Sequence, residues 1–171
     1  MGWKNVKERF SLEHIVCVEG GRLKVGSGYV RGLIEVDMST GVVVVNPTFP
    51  DMKQKYPDLF AASPEEVLAL ISAPDSFVRS LPVYAYRGAE IIEKACEEYG
   101  WPHATHDGEV QYDNSHSPDR AKVVAWAKQS AAAEVKWLAE RLERARQEVR
   151  EIEERLKEAQ GTAEQLAREH P

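Results

Sequence analysis

The stretch EVKWLAERLERARQEVREIEERLKEAQGTAEQL, residues 134–166, decides the architecture of this chain. Val135, Leu138, Leu142, Ala145, Val149, Ile152, Leu156, Ala159, Ala163 and Leu166 follow one another at alternating intervals of three and four. Residues so spaced share one face of a helix, and a strict seven-residue repeat makes that face the seam of a coiled coil. Upstream, Ser117-Pro118-Asp119 combines a capping hydroxyl, a proline and an acid that meets the helix dipole, and no proline or glycine follows until Gly161. A helix over that span would be about 43 residues and roughly 65 Å long. A body of this chain's size is only about 30 to 40 Å across, so part of the helix must project or find a partner.

Charge separates the pairings open to this seam. Arg141, Glu148 and Arg155 flank it on one side, and Arg146 and Glu153 on the other. A parallel dimer in register opposes Arg141 with Arg146 and Glu148 with Glu153, which is repulsive. An antiparallel dimer centred near Gln147 sets Arg141 against Glu148 and Arg146 against Glu153, each contact worth a few tenths of a kcal/mol and all agreeing in sign. The sequence therefore predicts antiparallel packing, between chains or against another helix of the same chain. The bland alternative is a long helix lying on its own domain, since Ala145, Ala159 and Ala163 make a weak seam. Trp126 and Trp137 fall off the seam, which predicts a second buried face near the start of the helix.

Toward the N-terminus the pattern changes to that of strands. His14 to Val18 and Arg22 to Val25 flank Glu19-Gly20-Gly21, a hairpin signal. Tyr29 to Val36 reads as another strand interrupted at Gly32. Met38 to Gly41 turns it into Val42 to Val45, whose unbroken β-branching predicts a strand covered on both faces. Trp3 to Phe10, with Val6 and Phe10 four apart, predicts a short helix lidding this sheet.

The middle of the chain mixes element types. Pro47, Pro50 and Pro57 predict an irregular connection and an internal boundary. Ser63-Pro64-Glu65-Glu66 is a capping box opening a helix through Ile71. Pro82 to Tyr86 reads as a strand. Ile91, Ile92, Ala95, Cys96 and Tyr99 have helical spacing with Gly100 as the stop, a strand through Ile91 and Ile92 being the alternative. Asp107-Gly108, between His103 to His106 and Glu109 to Tyr112, is a hairpin signal. The expected fold class is α+β: an antiparallel β-rich part over residues 1–47, a mixed part with an acidic surface over 48–117, and a long helix with a coiled-coil arm over 118–171.

Composition narrows the functional classes. The 171 residues are 43% apolar and carry a net charge of −6, enough for a real core. Residues 61–133 hold eleven acids against six bases. No basic stripe is concentrated anywhere, which disfavours direct nucleic-acid binding. The longest aliphatic run, Val42 to Val45, is far short of a membrane span, and Met1 to Val6 has no secretory or acylation pattern, so a cytoplasmic location is expected. The two cysteines, Cys17 and Cys96, form neither a disulfide framework nor a zinc motif and are expected to be reduced and buried.

Chemistry-bearing constellations are few. His103, His106, Asp107, Asp113 and His116 lie close in sequence, but strand alternation separates His103 from His106, so polar hairpin residues are the ordinary reading and a metal-dependent enzyme is the alternative. Gly26 to Gly32 has the wrong spacing for a dinucleotide loop. Cys17 and His14, three apart on a strand, cannot work on one face. No phosphate loop, zinc-hydrolase helix or nucleophile turn occurs, so no catalytic residue, metal ligand or cofactor is assigned. A further alternative, a helical-dimer regulator of DNA, would need Arg9, Arg120, Lys122 and Lys128 on one face. Glu90, Glu93, Glu97, Glu98, Asp107, Glu109 and Asp113 are candidates for an acidic patch facing a basic protein partner. Leu138, Leu142, Val149, Ile152 and Leu156, with Arg141, Glu148, Arg146 and Glu153, are the candidates for self-association as a homodimer.

Glu98-Tyr99-Gly100-Trp101-Pro102, Thr105-His106-Asp107-Gly108-Glu109 and Tyr112-Asp113-Asn114, leading to Ala125-Trp126-Ala127, resemble a pattern of uncharacterised accessory proteins of temperate bacteriophages and prophages. Trp3 to Arg9 and the glycine-rich hairpin after it are similar to that family too. The resemblance spans about half the chain and brings no catalytic residues with it. It implies a context: binding of a host or phage protein in the bacterial host cell, with inhibition of a defence system such as CRISPR-Cas, an anti-CRISPR role, as one such function.

Overall fold

Gly20 and Gly21, at φ +60° and +74°, supply the two positive-φ residues that a two-residue hairpin turn needs. They join β1 (Ile15–Glu19) to β2 (Arg22–Gly26), which pair antiparallel from Ile15 opposite Gly26 to Glu19 opposite Arg22. β3 (Ile34–Asp37) and β4 (Val43–Val45) complete an antiparallel sheet in the order β1-β2-β3-β4. The computed structural model describes residues 2–170. It confirms the α+β class, with this sheet on the N-terminal side and a long helix at the C-terminal side.

Two strand expectations are corrected. β3 starts at Ile34 and not at Tyr29, because Ser27 organises a turn: its N–H donates to Val30 O at 2.7 Å, and its Oγ accepts from the N–H groups of Tyr29 and Val30. Such side-chain to backbone bonds compete with a ladder. β4 is not covered on both faces. It is the last strand of its sheet, and Val42 and Val44 are 45% and 52% exposed. Aliphatic β-branching fits an edge strand as well as a buried one.

The core lies where β2 and β3 meet the helices. Leu23, Val25, Ile34 and Val36 alternate inward and are fully buried together with Val6, Leu59 and Val67. α1 (Trp3–Arg9) brings Val6 and packs on β1 and on α4 (Pro64–Ser72). Ser63 caps α4 by accepting from Glu66 N–H at 3.2 Å, as its capping box predicts, while the Glu66 carboxylate turns away to Arg9 at 3.0 Å. Between prolines the connector is more regular than expected. α2 (Met52–Lys55) and α3 (Pro57–Ala61) are single turns, and they deliver Tyr56 and Leu59 to the same core.

Ile91 to Tyr99 is not a helix. β5 (Leu81–Arg87) pairs with β6 (Glu90–Cys96) over seven residues, from Leu81 opposite Cys96 to Arg87 opposite Glu90. Tertiary pairing decides between two periods that short apolar runs satisfy equally. Downstream, the Asp107-Gly108 turn forms as expected, but its flanks make only isolated bridges, Ala104 to Val110 and Cys96 to Thr105.

α5 runs from Arg120 to Glu169, 50 residues, through Gly161. Its cap is Asp119 and not Ser117: Asp119 Oδ1 accepts from the N–H groups of Ala121 at 2.8 Å and Lys122 at 3.3 Å, while Ser117 Oγ accepts from Asp119 N–H. The chain divides into a unit through Ala127 and a unit from Lys128 onward. Val123 and Ala127 are the buried residues of α5, with Trp126 partly buried beside them, and every described residue from Lys128 is exposed. Among the described residues no helix is long and apolar enough to cross a membrane.

Candidate functional site

Within the first unit, the best-organised polar site gathers around Lys94. Lys94 sits on β6, and its side chain is only 10% exposed. Its ammonium donates to Asp107 Oδ2 and Glu109 Oε2, each at 2.5 Å. Those two acids bracket Gly108, whose φ of +84° and tight approach to Val18 leave no room for a side chain: a Cβ would lie 2.6 Å from Val18 Cγ2. Gly108 O also accepts from Val18 N–H at 2.9 Å, so β1 pins the turn and thereby the two carboxylates. Burial opposes the charge on Lys94, but the bonds from Asp107 and Glu109 outweigh it and hold its pKa above the ordinary lysine value. For Asp107 burial acts upward, while Lys94 and the Thr105 hydroxyl prevail and leave the carboxyl below its usual range.

This cluster forms part of the wall of a cleft of about 370 Å³, together with Cys17, Glu19, Arg31, Arg87 and Tyr112. Glu19 accepts from Lys24 at 2.8 Å and contacts Arg31 at 3.4 Å. The Arg31 guanidinium lies over the Tyr112 ring at 5.4 Å. Most of the cleft's charges are thus matched internally. Burial, with Glu19 adding to it, pushes the Cys17 thiol up. A protonated thiol is a poor nucleophile, in agreement with the assignment of Cys17 to the core.

The three histidines of residues 103–116 are not gathered. His106 stacks on Phe77 at 3.7 Å, and its Nε2 lies 3.2 Å from Arg79 O. His103 Nε2 approaches Glu98 at 3.2 Å. His116 is buried, with Nδ1 2.9 Å from Ser115 Oγ and Nε2 without a hydrogen-bond partner, 3.8 Å from Glu109 Oε1. Burial lowers its pKa against the pull of Glu109, and Lys94 adds to the lowering. Among the described residues no three His, Cys, Asp or Glu side chains are placed to hold a metal ion.

The seven candidate acids are likewise dispersed. Asp107 and Glu109 come together, but around Lys94. Glu97 binds Lys4 at 2.7 Å and accepts from Val78 N–H at 2.6 Å. Glu98 faces His103, and Asp113 lies beside Gly100. Glu90 and Glu93, three apart on β6, point to opposite faces of the ribbon. The sequence reading missed two features. Lys94 is the cation that organises the acids, visible only once β6 is a strand. Tyr29, 101% exposed, is next to Gly28, on which the half-exposed Trp101 packs; isolated aromatics in loops carry no periodic signal.

In the second unit the geometry is simpler. Val135, Leu138, Leu142, Val149, Ile152 and Leu156 are each between 50% and 68% exposed, and they line one face of α5. Trp137 lies off that face under the Arg141 guanidinium, at 4.7 Å. Comparison with protein families, with characterised proteins and with solved structures finds no match to this chain.

Proposed function

We propose that this chain is a phage-type or prophage-type accessory protein that acts in the bacterial cytoplasm by binding protein, with inhibition of a defence system such as CRISPR-Cas as its role. The observation that carries the reading is the unburied apolar face of α5. Large aliphatic side chains repeat along that face at contact spacing, and each is at least half exposed. An apolar stripe of this length on a soluble chain marks an interaction surface. The Lys94 cleft supports the same reading from the other side, because the cations and carboxylates at its centre are matched to one another and leave few groups free for acid–base work. The metal-enzyme alternative finds no gathering of His103, His106 and His116. The DNA-regulator alternative needs Arg9, Arg120, Lys122 and Lys128 on one face, and Arg9 lies instead beside Glu66 of α4.

The experiment is a nuclease-treated pull-down from bacterial lysate with the full chain and with Leu142→Glu/Val149→Glu, read together with plasmid interference by CRISPR-Cas in cells expressing each. The reading predicts a stoichiometric protein bound by the wild type and lost with the variant, and relief of interference lost in parallel. Equal capture and equal relief by both proteins would overturn α5 as the contact element, and no protein captured by either would overturn the binding reading.

A further inference from the structure

We infer that the surface covering α5 is a second copy of this chain, packed antiparallel in the one register that places Gln147 opposite itself. The inference rests on the reading of α5 as the contact element and names its occupant. In that register Leu138 meets Leu156 of the second copy, and Leu142 meets Ile152, so large side chains fill the layers on either side of a narrower centre formed by Ala145 and Val149.

Charge selects the register. Arg141 faces Glu148 of the second copy, Arg146 faces Glu153, and Arg155 faces Glu134, each contact occurring twice by symmetry. Sliding one copy by a heptad sets Arg141 against Arg141, Arg146 against Arg146 and Glu148 against Glu134. Sliding it the other way sets Glu148 against Glu148 and Glu153 against Glu153. Parallel pairing in register is repulsive too, so the alternation of sign along both flanks disfavours it and both one-heptad slips, while a two-heptad slip restores a charge match only by shortening the paired seam.

The structure adds an independent observation. On the far side of α5, Glu143 binds Arg150 at 3.3 Å, and Gln147 bonds Arg150 at 2.7 Å and Glu151 at 2.9 Å. Among the described residues, Glu134, Arg141, Glu148, Glu153 and Arg155 make no ion pair at all, and Arg146 makes only a long one to Glu143 at 3.7 Å. The charges that flank the apolar face are thus available to a facing helix.

The test uses the full chain, in which Cys17 and Cys96 are buried. Leu142→Cys and Ile152→Cys are oxidised separately and as a mixture, and light scattering gives the mass of the wild type. A wild-type dimer and a mixture that cross-links about tenfold faster than either variant alone support the inference. Fastest cross-linking of Leu142→Cys with itself establishes parallel pairing and overturns it. A wild-type monomer at micromolar concentration also overturns it, while leaving α5 as a contact element for another protein to the pull-down above. A second pair keeps the test independent of the cysteines: Arg141→Glu/Arg146→Glu and Glu148→Arg/Glu153→Arg are each expected to be monomeric alone and to dimerise when mixed, and no association on mixing overturns the charge register.

Discussion

Replacing Lys94 by Met removes the ammonium and keeps most of the side-chain volume, so it isolates the electrostatic role of this residue. The variant leaves Asp107 and Glu109 facing one another without a cation. Breaking a fully buried pair costs about 3 to 5 kcal/mol. Lys94 is 10% exposed, but the carboxylates are 49% and 45% exposed, so water and salt screen roughly half of that effect. The expected loss is about 2 kcal/mol, or a fall in Tm of about 6 to 10 °C for a unit of this size. Near-UV circular dichroism is the suitable probe, because Trp3, Trp101 and Trp126 belong to the first unit whereas α5 dominates the far-UV signal. Lys94 helps hold the Asp107 carboxyl below its usual range, so this share of the deficit should be full at pH 7 and shrink as pH falls below about 4. Adding Asp107→Asn and Glu109→Gln should recover most of it. A Lys94→Met protein that melts within a degree of the wild type at pH 7, or whose deficit is as large at about pH 3 as at pH 7, would refute the reasoning.

The remaining predictions concern single residues. His116 is held neutral by burial, beside Glu109, Lys94 and Asp107. Its lowered pKa means that the unfolded chain binds the proton first, so the first unit should lose stability as pH falls below about 6.5; urea midpoints at pH 7.5 and 5.5 check this, and His116→Gln should flatten the difference. Gly108→Ala meets both a positive φ and Val18, and should cost about 2 to 4 kcal/mol in urea unfolding. Ser63→Ala removes a helix cap and should cost about 1 kcal/mol by the same assay. Gly161→Ala, where a Cβ meets open space, should stabilise α5 by about 1 kcal/mol, seen as a higher far-UV melting temperature.

The legible parts of this fold are those where one local rule suffices. The helix over Val135 to Leu166 with its apolar face, the Gly20-Gly21 turn, the Ser63 cap and the Asp107-Gly108 turn each follow from local spacing or a few adjacent residues, and each has its counterpart in the structure. Ile91 to Tyr99 was ambiguous because its spacing fits two periods, and only the seven-residue ladder with β5 separates them. Val42 to Val45 shows the same limit for burial, since β-branching reports strand propensity but not whether another layer lies on top. The acids from Glu90 to Asp113 were legible as charges, but not as a surface. Their disposition depends on Lys94, Lys4 and His103 reaching them across the fold, and on β1 fixing Gly108, none of which leaves a short-range trace.

Antiparallel self-pairing of α5 is tested most directly by a distance. With a spin label at Gly161→Cys in the full chain, antiparallel pairing about Gln147 separates the two labelled positions by 28 residues of helix, about 42 Å along the axis. The account predicts a pulsed dipolar distance near that value. A distance of about 20 Å, as parallel pairing would give, or no intermolecular coupling at all, would contradict it.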